Sequence, residues 1–341
     1  GVVNVETVTS QLLYEIGGPE YFGPDVTARF DTIRVEQLER DRVRVHGTKG
    51  QAPPSTLKVA MNELGGYRNS FTVALTGLDI DAKAEFAQAT FWDACPFGPD
   101  DFAFIENKVV PTNKPDPATQ EEATAMWRLT VKDPDERKVG RAFADAMVHT
   151  VLAGIPGMYG LGGGPSAASP FGVYRPATVS ADLVPQYVHV NGTTTQIDSS
   201  APPVLPGPVP GRTEPDAPVL PGPVPGRTDE VVVEVALGEF LGTRSGDKGG
   251  DANLGIYART DSGWQWLDTE LTVERLQELL PETAALTVDR YRFPNLRSLN
   301  FVVRGLLQEG VAASTRQDAQ AKALGEWLRA RIVAVPESVL G

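Results

Sequence analysis

The feature that most limits how this chain can fold is a duplication. Pro203-Val204-Leu205-Pro206-Gly207-Pro208-Val209-Pro210-Gly211-Arg212-Thr213 recurs unchanged at Pro218 to Thr228, and ten of the 28 prolines fall between 199 and 230. Proline has no N–H to offer a helix or a ladder, and glycine loses the most backbone entropy on ordering. No packed core can form there, and the stretch reads as a linker, rising about 3.1 Å per residue where it is polyproline-like. A motif for a proline-reading partner is the alternative. The linker, 199–230, separates an N-terminal part, 1–198, from a C-terminal domain, 231–336.

In the N-terminal part, Val5, Val8, Leu12, Leu13 and Ile16 share one helical face, with Asn4 to cap the start and Gly17-Gly18-Pro19 to stop it. Ile33 and Val35, then Val43 and Val45, alternate around Glu39-Arg40-Asp41 and predict a β-hairpin. Leu57, Val59 and Met61 predict a strand, and so do Phe71, Val73 and Leu75. A helix follows through Ile80, Ala84, Ala87 and Phe91, then a strand from Ala125 to Val131 and a helix over 136–153. Residues 160–180 are rich in Gly, Pro, Ser and Ala and read as a long loop, either mobile or an active-site lid.

Beyond the linker, strands are expected at Val231 to Phe240 and Asn253 to Ala258, then a helix at Thr272 to Leu280. Strands at Leu286 to Arg292 and Ser298 to Leu307 and a helix at Thr315 to Ile332 complete the pattern. The class is α+β: a mixed α/β core region followed by a ferredoxin-like α+β sandwich domain.

Charge narrows the partners. The 341 residues carry 31 basic and 44 acidic side chains, a net charge of -13. A nucleic-acid binder draws most of its affinity from phosphate contacts, and no basic stretch is present, so neither nucleic acid nor a membrane surface is an expected partner. No run of apolar residues is long enough for a membrane helix. Cys95 is the single cysteine, which fits a reducing cytoplasm. His46, His149 and His189 share no ligand spacing, and no metal is expected.

The run from Gly242 to Asn253 concentrates chemistry. Read as a loop between two strands, its glycines allow close approach to a ligand, and its N–H groups form an anion nest. Arg244 grips a carboxylate or phosphate with two parallel bonds, and Lys248 adds a point charge. Ser245, Gly246, Gly249 and Asn253 complete the ligand contacts, while Asp247 and Asp251 act as acid or base. A tight inter-strand connection and an interface loop are the plainer readings. Gly160 to Pro165 fails the dinucleotide test, since Pro165 breaks the spacing and a helix precedes it.

Several blocks resemble one family, the acyclic terpene utilisation proteins of AtuA type. Ser245-Gly246-Asp247-Lys248-Gly249 with Asp251-Ala252-Asn253 is similar to that family's C-terminal signature. Phe293-Pro294-Asn295-Leu296-Arg297-Ser298-Leu299-Asn300-Phe301 resembles a second, which adds Asn295 and Arg297 to the ligand-binding set. Gly310-Val311-Ala312-Ala313-Ser314 with Asp318-Ala319-Gln320, Gln11-Leu12-Leu13-Tyr14-Glu15-Ile16, Thr56-Leu57-Lys58-Val59 and Ser169-Pro170-Phe171-Gly172-Val173-Tyr174 match further blocks. The resemblance implies breakdown of acyclic terpenoids or branched acids through CoA thioesters. The expected activity is an acyl-CoA lyase or hydratase with no cofactor beyond the thioester substrate, and a non-catalytic scaffold is the alternative. Family members carry a further glycine-rich N-terminal stretch, so a separate N-terminal chain of the same type and oligomeric assembly are expected partners.

Overall fold

The computed structural model describes residues 1–161, 166–197 and 231–340. The repeated linker and most of the Gly160 to Pro165 run lie outside the described residues. The chain forms two compact units. One comprises Gly1–Met61, Pro176–Val311 and Arg316–Gly341, the other Asn62–Arg175 and Ala312–Thr315. Residues 1–61 thus belong with the C-terminal part, a grouping that the linker position does not suggest.

The first unit opens with helix α1 (Val5–Leu12). Asn4 Oδ1 accepts from the Thr7 N–H at 2.9 Å while Thr7 Oγ1 accepts from the Asn4 N–H at 3.0 Å, a reciprocal cap. Short strands β1 (Glu20–Phe22), β2 (Thr27–Arg29) and β5 (Lys49–Gln51) form one small sheet, and β3 (Arg34–Glu39) pairs with β4 (Arg42–His46) as the expected hairpin. Strand β6 (Thr56–Thr76) is one continuous strand where the sequence suggests two.

In the second unit α2 (Ile80–Ala94), β7 (Phe104–Val110), β8 (Thr124–Asp133), α3 (Phe143–Leu152), β9 (Met158–Gly160) and β10 (Ser169–Ser180) follow in order. The sheet runs β10-β6-β8-β7, with β9 also on β6. Its core is aromatic: the Phe71 ring lies 5.1 Å from Trp127, 5.3 Å from Phe91 and 5.4 Å from Phe143. The indole N–H of Trp127 donates to Asn107 Oδ1 at 2.7 Å, so the buried ring leaves no polar group unpaired. The helix expected over 136–153 has a π turn, Lys138–Ala142, where Gly140 leaves helical backbone (φ -85°, ψ -120°), and is regular only from Phe143. Much of the predicted loop at 160–180 is strand β10. Its small and polar residues hide an alternation in which only Phe171 and Val173 are buried.

The chain returns to the first unit through hairpin β11 (Gln186–Val190) and β12 (Thr193–Ile197), then continues at β13 (Val232–Ala236), β14 (Leu241–Lys248) and β15 (Asp251–Ala258). Helices α4 (Asp261–Glu270) and α5 (Val273–Leu279), strands β16 (Val288–Phe293) and β17 (Ser298–Val303), helix α6 (Leu324–Arg329) and strand β18 (Ile332–Pro336) complete it. The main sheet is antiparallel in the order β14-β15-β17-β16, and β13 pairs with β18 as a ribbon. Leu254, Ile256, Leu299 and Phe301 point from one face into a core with Trp264, Leu267, Leu276 and Leu328 of the three helices. The other face carries Asn253, Gly255 and Tyr257 of β15 and Tyr291 and Phe293 of β16, against Leu13 and Ile16.

The last helix is shorter than the periodicity predicts. Asp318 accepts the N–H groups of Lys322 and Ala323, both at 2.8 Å, and Ala321 takes a left-handed conformation (φ 52°). These contacts hold a turn, and helix begins only at Leu324. Among the described residues no helix is long and apolar enough to cross a membrane.

Candidate functional site

The run from Gly242 to Asn253 is a hairpin rather than a loop. Its register is complete from Leu241↔Ala258 to Lys248↔Asp251, leaving Gly249-Gly250 as a two-residue turn. Gly249 sits at φ 70°, as the first position of a primed hairpin turn requires. Extended backbone paired along β15 does not curl its successive N–H groups toward one point, so the anion nest expected from the sequence is absent there.

Alternation then sorts the side chains. Thr243, Ser245 and Asp247 face α6, where buried Ser245 Oγ accepts the Gly325 N–H at 3.0 Å. Gly242, Arg244, Gly246 and Lys248 face the other way. A Cβ at Gly246 would lie 2.8 Å from both Glu15 Cγ and Tyr14 Cε2, and one at Gly255 would lie 2.5 Å from Leu13 Cβ. These glycines let the chain leaving α1 lie directly on the sheet.

That chain is fixed by two fully buried asparagines. Glu15 turns left-handed (φ 56°) and donates its N–H to Asn253 Oδ1 at 2.7 Å. Asn253 Nδ2 donates to Asn300 Oδ1, and Asn300 Nδ2 donates to the carbonyls of Ile16 and Gly17. Lys248 Nζ closes the set on the Glu15 carbonyl at 2.9 Å.

Beside this turn is a charged cluster. Lys322 Nζ lies 2.6 Å from Glu15 Oε1 and 3.3 Å from Asp247 Oδ1, and it donates to the Tyr14 hydroxyl. The Arg244 guanidinium stands 4.3 Å over the Tyr14 ring. Among the described residues Arg244 has no ion pair. Partial burial pushes the Glu15 carboxyl up, but hydrogen bonds from Lys322 and Tyr14 and the charges of Lys322 and Lys248 outweigh it, and its pKa falls below the usual value. Burial likewise pulls Lys322 down, and its bonds to Glu15, Tyr14 and Asp247 reverse this and raise it. Lys248 is lowered: the protein around its ammonium end and the charge of Lys58 outweigh Glu15. The cluster thus holds one carboxylate firmly ionised, one ammonium firmly protonated and one ammonium that releases its proton more readily.

The remaining predicted residues lie elsewhere. Asp251 pairs with Arg304 at 2.8 Å and accepts the Gly305 N–H at 2.8 Å, on the opposite hairpin face from Asp247. Asn295 donates to the carbonyls of Phe30 and Ile33, both at 3.0 Å. Arg297, left-handed at φ 48°, meets Asp261 at 2.6 Å. Asn295 and Arg297 line a separate cavity of about 1090 Å³ within the same unit. A second cavity of about 930 Å³, around Gly77 and Pro111 to Pro117 in the other unit, gathers none of the predicted site residues. Among the described residues no group of three or more His, Cys, Asp or Glu side chains is placed to hold a metal. Cys95 is buried, and burial pushes its thiol up.

Sequence reasoning missed Tyr14, Glu15 and Lys322 as site residues. The signal was present: Tyr14 and Glu15 belong to the quoted Gln11 to Ile16 block, and Lys322 follows Asp318-Ala319-Gln320 by two positions.

A four-stranded antiparallel sheet with helices on one face defines an α+β protein with a ferredoxin-like domain, here with the end of an N-terminal helix docked on the open face. The chain belongs to the acyclic terpene utilisation family: the model for family protein AtuA matches residues 1–190, and that for the AtuA ferredoxin-like domain matches residues 235–334. No curated protein and no solved structure matches the chain.

Proposed function

We propose that this chain is an enzyme subunit in the breakdown of acyclic terpenoids or branched acids, acting on a branched acyl-CoA thioester as a hydratase or lyase. One observation carries the reading. Three blocks far apart in sequence, Tyr14-Glu15, Arg244 to Lys248 and Lys322, bring the carboxylates of Glu15 and Asp247 and the Tyr14 phenol into bonding distance of one ammonium, Lys322, with the Arg244 guanidinium over the Tyr14 ring and Lys248 on the Glu15 carbonyl.

Addition of water to an unsaturated thioester needs a base that takes a proton from water and an acid that delivers one to the α-carbon. Asp247 or Glu15 is the base, and Lys248 supplies the acid. Lys322 orients both carboxylates, and Arg244 holds an anionic group of the substrate. Asp251 is tied to Arg304 and keeps the hairpin in place.

The test is loss of the enoyl thioester absorbance on adding purified chain to branched 2-enoyl-CoA. Asp247→Asn or Glu15→Gln should lower kcat by at least about a hundredfold, with thioester binding retained. Turnover that survives both substitutions overturns the assignment. The scaffold reading also has support: Glu15, Asp247 and Lys322 are 36%, 27% and 39% exposed, and both large cavities described above are lined by other residues. It requires no turnover and a stoichiometric complex with another chain in native mass spectrometry.

A further inference from the structure

The cavity at the other end of the same sheet face has a composition at odds with the chain. Overall charge is -13, yet its walls carry Arg34, Arg259, Arg292 and Arg297. Three carboxylates also line it, and each has a cation of its own. Asp31 is bound by Arg29 at 2.9 Å, Glu6 lies 3.4 Å from Arg259, and Asp261 meets Arg297 at 2.6 Å.

Donors remain after this pairing. Arg34 is half-buried and, among the described residues, has no ion pair. Arg292 uses Nε and one terminal nitrogen on Asp268, leaving the other terminal nitrogen. Arg297 gives only Nε to Asp261. A half-buried guanidinium with no counter-ion is a desolvated charge, and an anionic ligand compensates it. Thr9 and Asn295 also line it, and the rest of the wall is apolar or aromatic: Val5, Val35, Tyr257, Ala258, Pro294 and Leu296. A volume of about 1090 Å³ suits a ligand far larger than an inorganic ion.

We infer that this cavity is a binding site for a phosphorylated purine nucleotide, with phosphates on Arg34, Arg292 and Arg297 and the base against the apolar wall. Anionic phosphates match the arginines, and a planar base matches the apolar part. The inference goes beyond the reaction proposed above and does not depend on it.

The test is calorimetric titration of the full chain with ADP, adenosine 3′,5′-bisphosphate and pyrophosphate. At least one nucleotide should bind saturably at one per chain, about tenfold or more tighter than pyrophosphate. Arg34→Met and Arg292→Met should each weaken it by about tenfold or more, while Lys248→Met at the hairpin tip leaves it unchanged. Far-UV circular dichroism establishes that the variants fold; were Arg34→Met unfolded, Arg292→Met carries the test. Three results overturn the inference: no saturable nucleotide binding, pyrophosphate binding as tightly as the nucleotides, or full affinity in both arginine variants. Nucleotide binding without thioester turnover would leave this site standing and remove the proposed reaction.

Discussion

Asn253→Ala is the substitution whose consequence the structure determines most fully. Asn253 is fully buried. Its Oδ1 is the acceptor for the Glu15 N–H at 2.7 Å, and its Nδ2 is the donor to Asn300 Oδ1. Truncation leaves both partners without a bond. Each such orphan costs about 1–3 kcal/mol, so the expected loss is about 2–6 kcal/mol, a large share of the stability of an ordinary domain. Two units do not guarantee a single transition, so the assay has two parts. Urea unfolding of the full chain gives the global loss. Hydrogen exchange over residues 11–17 gives the local one: the Glu15 amide, protected in the parent, should exchange freely in the variant. Asn300→Ala removes the same network from its other end, so the double variant should lose about 1 kcal/mol less than the sum. A loss below about 1 kcal/mol, with the Glu15 amide still protected, would refute the claim that this network docks the chain after α1.

Gly255→Ala should cost about 1–3 kcal/mol by thermal melting, because the new Cβ meets Leu13 Cβ at 2.5 Å and the Leu13 carbonyl oxygen at 3.1 Å. Gly246→Ala meets only the movable side chains of Tyr14 and Glu15 and should cost less; the reverse order would contradict the packing. Lys322→Met should lower stability by at most about 1 kcal/mol, because its partners are half-exposed. The Glu15 contribution is present above the ordinary 4.5 and is lost as pH falls through its lowered folded value, whereas that of Lys322 is present below the ordinary 10.5 and is lost as pH rises through its raised one. Melting temperatures of parent and variant should therefore converge at both ends of the pH range, and a gap unchanged at strongly acid pH would count against the pairing. Phe71→Ala, in the aromatic core of the second unit, should cost about 3–5 kcal/mol in urea unfolding.

What the sequence made legible was set by local rules. Asn4 and the turn at Glu39-Arg40-Asp41 act through neighbouring residues, and both stand where the pattern places them. The misreadings occur where distant contacts decide. Helical periodicity runs to Ile16, but α1 ends at Leu12 because Asn253, far along the chain, holds Glu15 left-handed. Periodicity at 315–332 yields only Leu324–Arg329, since Asp318 and left-handed Ala321 fix a turn. Glycines from 242 to 255 imitate a ligand loop because close approach to another segment and close approach to a ligand require the same missing Cβ. The charges of the candidate site were visible one by one, but their meeting was not.

That meeting depends on where β14 lies. Asp247 and Lys248 are consecutive in a strand and so point to opposite faces, an arrangement that ordinarily keeps two side chains from serving one site. β14 is an edge strand of the β14-β15-β17-β16 sheet. With no strand beyond it among the described residues, Lys322 can pass around the edge and reach Asp247 on the helix-covered face and Glu15 on the other. Gly325 lies close enough to Thr243 and Ser245 to seat the start of α6 against the same edge, which brings Lys322 into range. An interior position for β14 would place a neighbouring strand in that path. The edge, usually a liability that invites pairing with another chain, is here occupied by a lysine and the small residues that admit it, and the candidate site is a consequence of how that edge is covered.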